Sequence, residues 1–95
     1  MFDMTIKIKG NRAELRGPVA KLNRDLLKGL LYVVGWGYGV RVFVDINGTI
    51  WRIMPKRHTL SYHINEGEEQ LSPMFSDNMD LSIDILCEIM LDYHK

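Results

Sequence analysis

Chemistry in this chain would have to start from one thiol, Cys87, three imidazoles, His58, His63 and His94, and twelve carboxylates. His58 and His63 are five residues apart, so on one strand they take opposite faces. No histidine stands at zinc-site spacing from the cysteine or from a carboxylate. Gly-x-Ser-x-Gly, a phosphate loop and His-Glu-x-x-His are all missing. Cys87 falls inside an apolar stripe of helical spacing, where a thiol is packing and not a nucleophile. These residues predict no catalytic group, no metal site and no cofactor, and a protein that works by binding.

The stretch Gly35-Trp36-Gly37-Tyr38-Gly39 invites a second reading, as a glycine cradle or an aromatic clamp. A dinucleotide cradle follows a strand and opens a helix. Here the order is reversed, because an apolar helical stripe precedes the glycines and a strand follows them. Gly35 fits the position just past a helix, where φ is positive. Trp36 and Tyr38 then lie at the core edge or form an outward contact pair.

Charge is the remaining candidate. Residues 1–60 carry eleven Lys/Arg against four Asp/Glu, a balance of +7, whereas residues 61–95 carry one Lys against eight Asp/Glu, a balance of −7. In the acidic half Asp80, Asp84, Glu88 and Asp92 recur at i+4 on an expected helix. Like charges at that spacing destabilise a helix unless something offsets them. Successive carboxylates one turn apart are separated by roughly 6 Å, close to phosphate spacing, so this row reads as a protein-binding surface or a nucleic-acid mimic. In the basic half Lys21, Arg24 and Lys28 form a ridge, which suggests nucleic-acid binding as the alternative. A pI of 6.8 is not that of a dedicated nucleic-acid binder. The plain structural reading is that the acidic half folds onto the basic half.

The elements that must position these groups follow from periodicity. Ile6 and Ile8 alternate with Lys7 and Lys9, and Gly10-Asn11 supplies a turn before Ala13 and Leu15, which predicts a hairpin with strands near 4–9 and 12–16. Pro18 opens a predicted helix over 18–34, with Val19, Leu22, Leu26, Leu30 and Val33 as its apolar stripe. Asn23 is expected at the edge of that stripe, and Gly29 is expected where a strand approaches closely. Val40, Val42, Val44 and Ile46 alternate up to Asn47-Gly48, the preferred type I′ pair. That turn sets Ile46 against Thr49, Val44 against Trp51 and Val42 against Ile53. The valine face is therefore core. The opposite face carries Phe43, Ile50 and Met54 beside Arg41, Asp45 and Arg52, a second predicted protein contact. Leu60, Tyr62 and Ile64 alternate inward, residues 65–73 read as loop, and a helix is expected from about 77 to 93.

The order is ββαβββα: a small single α+β domain over residues 1–95, with a mainly antiparallel five-stranded sheet and two helices on one face. A composition of 46% hydrophobic and 25% charged residues is ordinary for a globular domain. No apolar run is long enough for a leader or a membrane span. With a single cysteine, this suggests a soluble cytoplasmic protein. The expectation is a small non-enzymatic protein-binding or inhibitor module of the kind phages and mobile elements carry, with self-association through a strand edge as a further mode.

Overall fold

A computed structural model describes residues 4–95; Met1–Asp3, on which part of the expectation of no leader falls, lie outside the described residues. The elements are β1 (Thr5–Lys9), β2 (Arg12–Arg16), a single 3-10 turn (Val19–Lys21), α1 (Arg24–Val33), β3 (Val42–Ile46), β4 (Thr49–Pro55), β5 (Thr59–Ile64), β6 (Gln70–Pro73) and α2 (Met79–Tyr93). The six strands form one sheet in sequence order. All neighbours pair antiparallel except β2 and β3, which run parallel because α1 carries the chain back between them. The α+β class and the mainly antiparallel sheet stand; the strand count is six and not five.

The sixth strand corrects the loop reading of 65–73. Its pattern is inverted: Ser72 opposes Leu60 on the core face and is buried, while Leu71 opposes Ser61 and points away, 58% exposed. A strand that turns its serine inward and its leucine outward leaves no apolar alternation to read.

The first helix also differs from expectation. Residues 18–34 do not form one helix. Val19–Lys21 make a 3-10 turn, and the chain extends through Leu22 and Asn23 before α1 begins. Asn23 is not at the edge of an apolar stripe. It is the N-cap, its Oδ1 accepting from the Leu26 N–H at 2.9 Å. That break shifts the helical phase. Leu27, Leu30 and Leu31 are the buried residues of α1, while Val19 and Val33 are exposed. Gly29 meets no neighbouring element, since a Cβ built there finds nothing within 4 Å.

The central hairpin follows its turn chemistry. Asn47 and Gly48 have φ of 50° and 94°, as a type I′ turn requires. The register pairs Ile46 with Thr49, Val44 with Trp51 and Val42 with Ile53. The Asn47 side chain also accepts from the Gly17 N–H at 3.0 Å and donates to the Gly17 carbonyl at 2.6 Å, tying this turn to the exit of β2. Strand β3 starts at Val42, and Val40 lies outside it, 40% exposed.

Both helices cover one sheet face. Leu27, Leu30 and Leu31 of α1 and Ile83, Leu86, Cys87 and Met90 of α2 join Val42, Val44, Trp51, Ile53 and Leu60 in one core. Trp51 is fully buried and stacks at 5.6 Å from Tyr62 and edge-on at 5.4 Å from Tyr93. Its indole N–H donates to His94 Nε2 at 3.0 Å.

The glycine-rich corner is a helix stop. Val34 caps α1, Gly35 follows with φ of 81°, and Gly39 with φ of 77° donates its N–H to the Pro55 carbonyl. Trp36 packs against the core, and Tyr38 is 62% exposed.

Candidate functional site

The acidic row and the basic ridge meet each other. Lys28 Nζ lies 2.9 Å from Asp80 Oδ2 and 3.1 Å from Asp84 Oδ1, and Arg24 lies 3.8 Å from Glu88. The Tyr32 hydroxyl donates to Asp80 Oδ1 at 2.6 Å. The hydrogen bonds from Tyr32 and Lys28 hold the Asp80 carboxyl below its ordinary range, and those to Asp80 and Asp84 raise Lys28 above its own. This seam supplies the offset that an i+4 row of carboxylates requires. Asp92 stands apart at the helix end, 4.0 Å from Lys95. Lys21 lies in the 3-10 turn, outside α1.

Cys87 is buried in the core, and desolvation, then the nearby Asp84 carboxylate, pushes its thiol up to about 12. It stays a protonated packing group at physiological pH. Among the described residues no group of three or more His, Cys, Asp or Glu is placed to hold a metal ion, and no helix is long and apolar enough to cross a membrane.

The other sheet face carries no helix, and its side chains fall into rows set by the registers. One row runs across five strands: Lys9 opposes Arg12, Arg12 opposes Phe43, Phe43 opposes Arg52, and Arg52 opposes His63. At about 4.8 Å per strand the row is roughly 19 Å long. It contains no carboxylate. The Arg12 guanidinium lies 4.1 Å from the centre of the Phe43 ring, a cation–π contact. His63 Nδ1–H donates to the Gly67 carbonyl at 2.9 Å.

The neighbouring row mixes charge. Lys7 opposes Glu14, Glu14 opposes Asp45, and Asp45 opposes Ile50. Arg16 lies 3.4 Å from Glu14 and 3.7 Å from Asp45 and neutralises part of that pair. Lys7, Lys9, Arg12 and Arg52 have no ion-pair partner among the described residues. Two shallow hollows of about 400 and 410 Å³ share Arg12, Phe43 and Ile50 in their walls, the first reaching Lys7 and Lys9 and the second Arg52. Ile50 is 44% exposed.

Phe43 and Ile50 are therefore brought together. Met54 lies on the same face beyond Arg52 and lines a separate hollow with Tyr38 and Pro55. The far corner of the face is internally satisfied. Ser61 Oγ donates to Glu69 Oε2 at 2.6 Å and Lys56 Nζ lies 3.1 Å from the same oxygen, contacts that hold the Glu69 carboxyl below its usual range.

The long cation–aromatic row was only half accessible to sequence reasoning. The two turns set Lys9 against Arg12 and Phe43 against Arg52, but joining these halves needs the parallel β2–β3 pairing, for which no local signal exists. Comparison with protein-family models, with curated proteins and with solved structures gives no match to this chain.

Proposed function

We propose that this protein is a non-enzymatic binding module whose contact surface is the helix-free sheet face, and that its partner is a protein presenting negative charge. The observation that carries the reading is the row Lys9–Arg12–Phe43–Arg52–His63, whose Lys9, Arg12 and Arg52 have no ion-pair partner among the described residues, beside the exposed Ile50. Interfaces draw energy from a desolvated aromatic or arginine anchor inside a polar rim. Phe43 under Arg12, flanked by Ile50, has that composition. The acidic row contributes less to this reading, because Asp80, Asp84 and Glu88 are occupied with Lys28 and Arg24.

The same contacts weigh against nucleic acid held on Lys21, Arg24 and Lys28. On the sheet face Phe43 is the sole phenyl or indole ring of the row, and it already carries Arg12, which weakens the case for a stacking platform for a series of bases. An intracellular inhibitor role suits a small domain whose single cysteine is buried.

Affinity capture with three baits tests the reading. The bait carrying Glu88→Lys with Asp92→Lys should retain whatever protein the unmodified bait retains. The bait carrying Ile50→Asp with Arg52→Glu should lose it. Loss with the helix variant and retention with the sheet variant would contradict the proposal.

A further inference from the structure

We infer that the outer edge of β1 receives an extended segment of the partner in which acidic and apolar residues alternate, adding a seventh strand to the sheet. This rests on the helix-free face being the contact surface. It adds the mode of binding and the chemistry of the bound segment.

Strand β1 ends the sheet. Its partner β2 directs the carbonyls of Asn11 and Leu15 to Phe43 and Asn47 of the β3 side, at 3.0 and 2.9 Å. By the alternation of backbone groups along a strand, Arg12, Glu14 and Arg16 then face β1, and their partners Lys9, Lys7 and Thr5 face β2. The N–H and C=O groups of Ile6 and Ile8 are left pointing away from the sheet. All five residues of β1 are exposed, and the strand contains no proline to block pairing.

The side chains state what would pair there. Ile6 and Ile8, each 44% exposed, stand on the helix side of the sheet opposite Leu15 and Ala13. Lys7 and Lys9 stand on the helix-free side, at the rim of the hollow that contains Arg12 and Phe43. A strand added at this edge places every second side chain beside the isoleucines and the intervening ones beside the lysines, about 5 Å away. Apolar residues in the first set and carboxylates in the second complement both. A second copy complements them less well: the antiparallel registers that set Ile6 against Ile8 or Ile8 against Ile8 also oppose lysine to lysine, which is destabilising, and the register that sets Ile6 against Ile6 offers Lys7 only Thr5. The carboxylates of an added strand would extend the Lys9–Arg12–Phe43–Arg52 row with the charge it lacks.

The probe is a dye-labelled, end-blocked eight-residue peptide of alternating valine and glutamate, followed by fluorescence anisotropy against the whole chain. The valine–glutamate peptide should bind, more weakly as salt rises, and a valine–lysine peptide should not. Lys7→Gln with Lys9→Gln should weaken binding about tenfold. Ile8→Pro, which removes an outward N–H and no β1–β2 bond, should weaken it comparably. Circular dichroism confirms that each variant folds, and Ile8→Ala serves as the control that keeps the N–H. Loss of binding on Arg12→Gln with Arg52→Gln but not on Ile8→Pro overturns strand addition and leaves the sheet-face reading standing. No binding of the valine–glutamate peptide overturns the inference, and the capture assay then decides the sheet-face reading by itself. Tighter binding of an eight-residue oligothymidylate than of the peptide overturns both in favour of nucleic acid.

Discussion

Removing the acceptor from the Trp51 indole tests how the C-terminal helix is locked to the sheet. Trp51 is fully buried, and its N–H donates to His94 Nε2 at 3.0 Å. His94→Leu keeps a side chain of similar bulk but leaves that donor without a partner. An unsatisfied buried donor costs about 1–3 kcal/mol. For a domain of this size each kcal/mol lowers Tm by about 4–8 °C, so a fall on the order of 5–20 °C is expected. Trp51→Phe removes the donor itself. In that background His94→Leu should cost at least about 1 kcal/mol less, a coupling expected of residues in direct contact. Thermal and urea unfolding followed by circular dichroism provide the four corners of the cycle. Additivity within about 0.5 kcal/mol would refute the reasoning. The same bond has a pH signature. Nε2 accepts only when unprotonated, and burial lowers the His94 pKa below its ordinary 6.5. As pH falls, the unfolded chain takes up that proton first. The stabilisation is therefore complete above about 6.5 and is lost as pH falls through the folded value. Glu88, Asp92 and Lys95 share the hollow beside His94, so the slope is to be compared with that of His94→Leu, which should be flatter.

Further predictions concern the helices. Gly29→Ala should raise stability by about 0.5–1 kcal/mol, because Gly29 lies inside α1 with open space at its Cβ position, and a decrease in Tm would contradict it. Leu31→Ala should cost about 2–5 kcal/mol, since Leu31 is fully buried between the helices and the sheet, and a cost below 1 kcal/mol in urea unfolding would contradict its place in the core. Asp80 should titrate below ordinary aspartates by carboxyl NMR and move upward on Lys28→Gln, and an unmoved value would refute the seam. With a folded pKa below the unfolded one, Asp80 favours the folded state above the unfolded value, and that contribution disappears as pH falls through the folded one.

The parts of this fold readable from sequence are those governed by neighbouring residues. Asn47-Gly48 dictates a turn, the turn dictates the register, and the register puts Trp51 with the valines and Phe43 with Arg52. The unreadable parts depend on contacts distant in sequence. The β2–β3 pairing is made across α1 and leaves no local trace, so neither the mixed sheet nor the five-strand row followed from periodicity. Strand β6 was obscured because Ser72 fills a core position and Leu71 an outer one. Helical spacing places Asn23 at the edge of an apolar stripe, whereas its side chain serves the helix start. For the charges, composition revealed both halves of the seam, the acidic row and the basic ridge, but only the packing of α1 against α2 shows that Lys28 sits between Asp80 and Asp84.

Residue-resolved amide exchange with the valine–glutamate peptide bound addresses the central claim most directly. Exchange at Ile6 and Ile8, whose N–H groups point away from the sheet, should slow by about tenfold or more on saturation, with Asp80–Glu88 unchanged. Unaltered exchange at Ile6 and Ile8, or protection centred on Asp84 and Glu88, would contradict a contact surface formed by the sheet and its first strand.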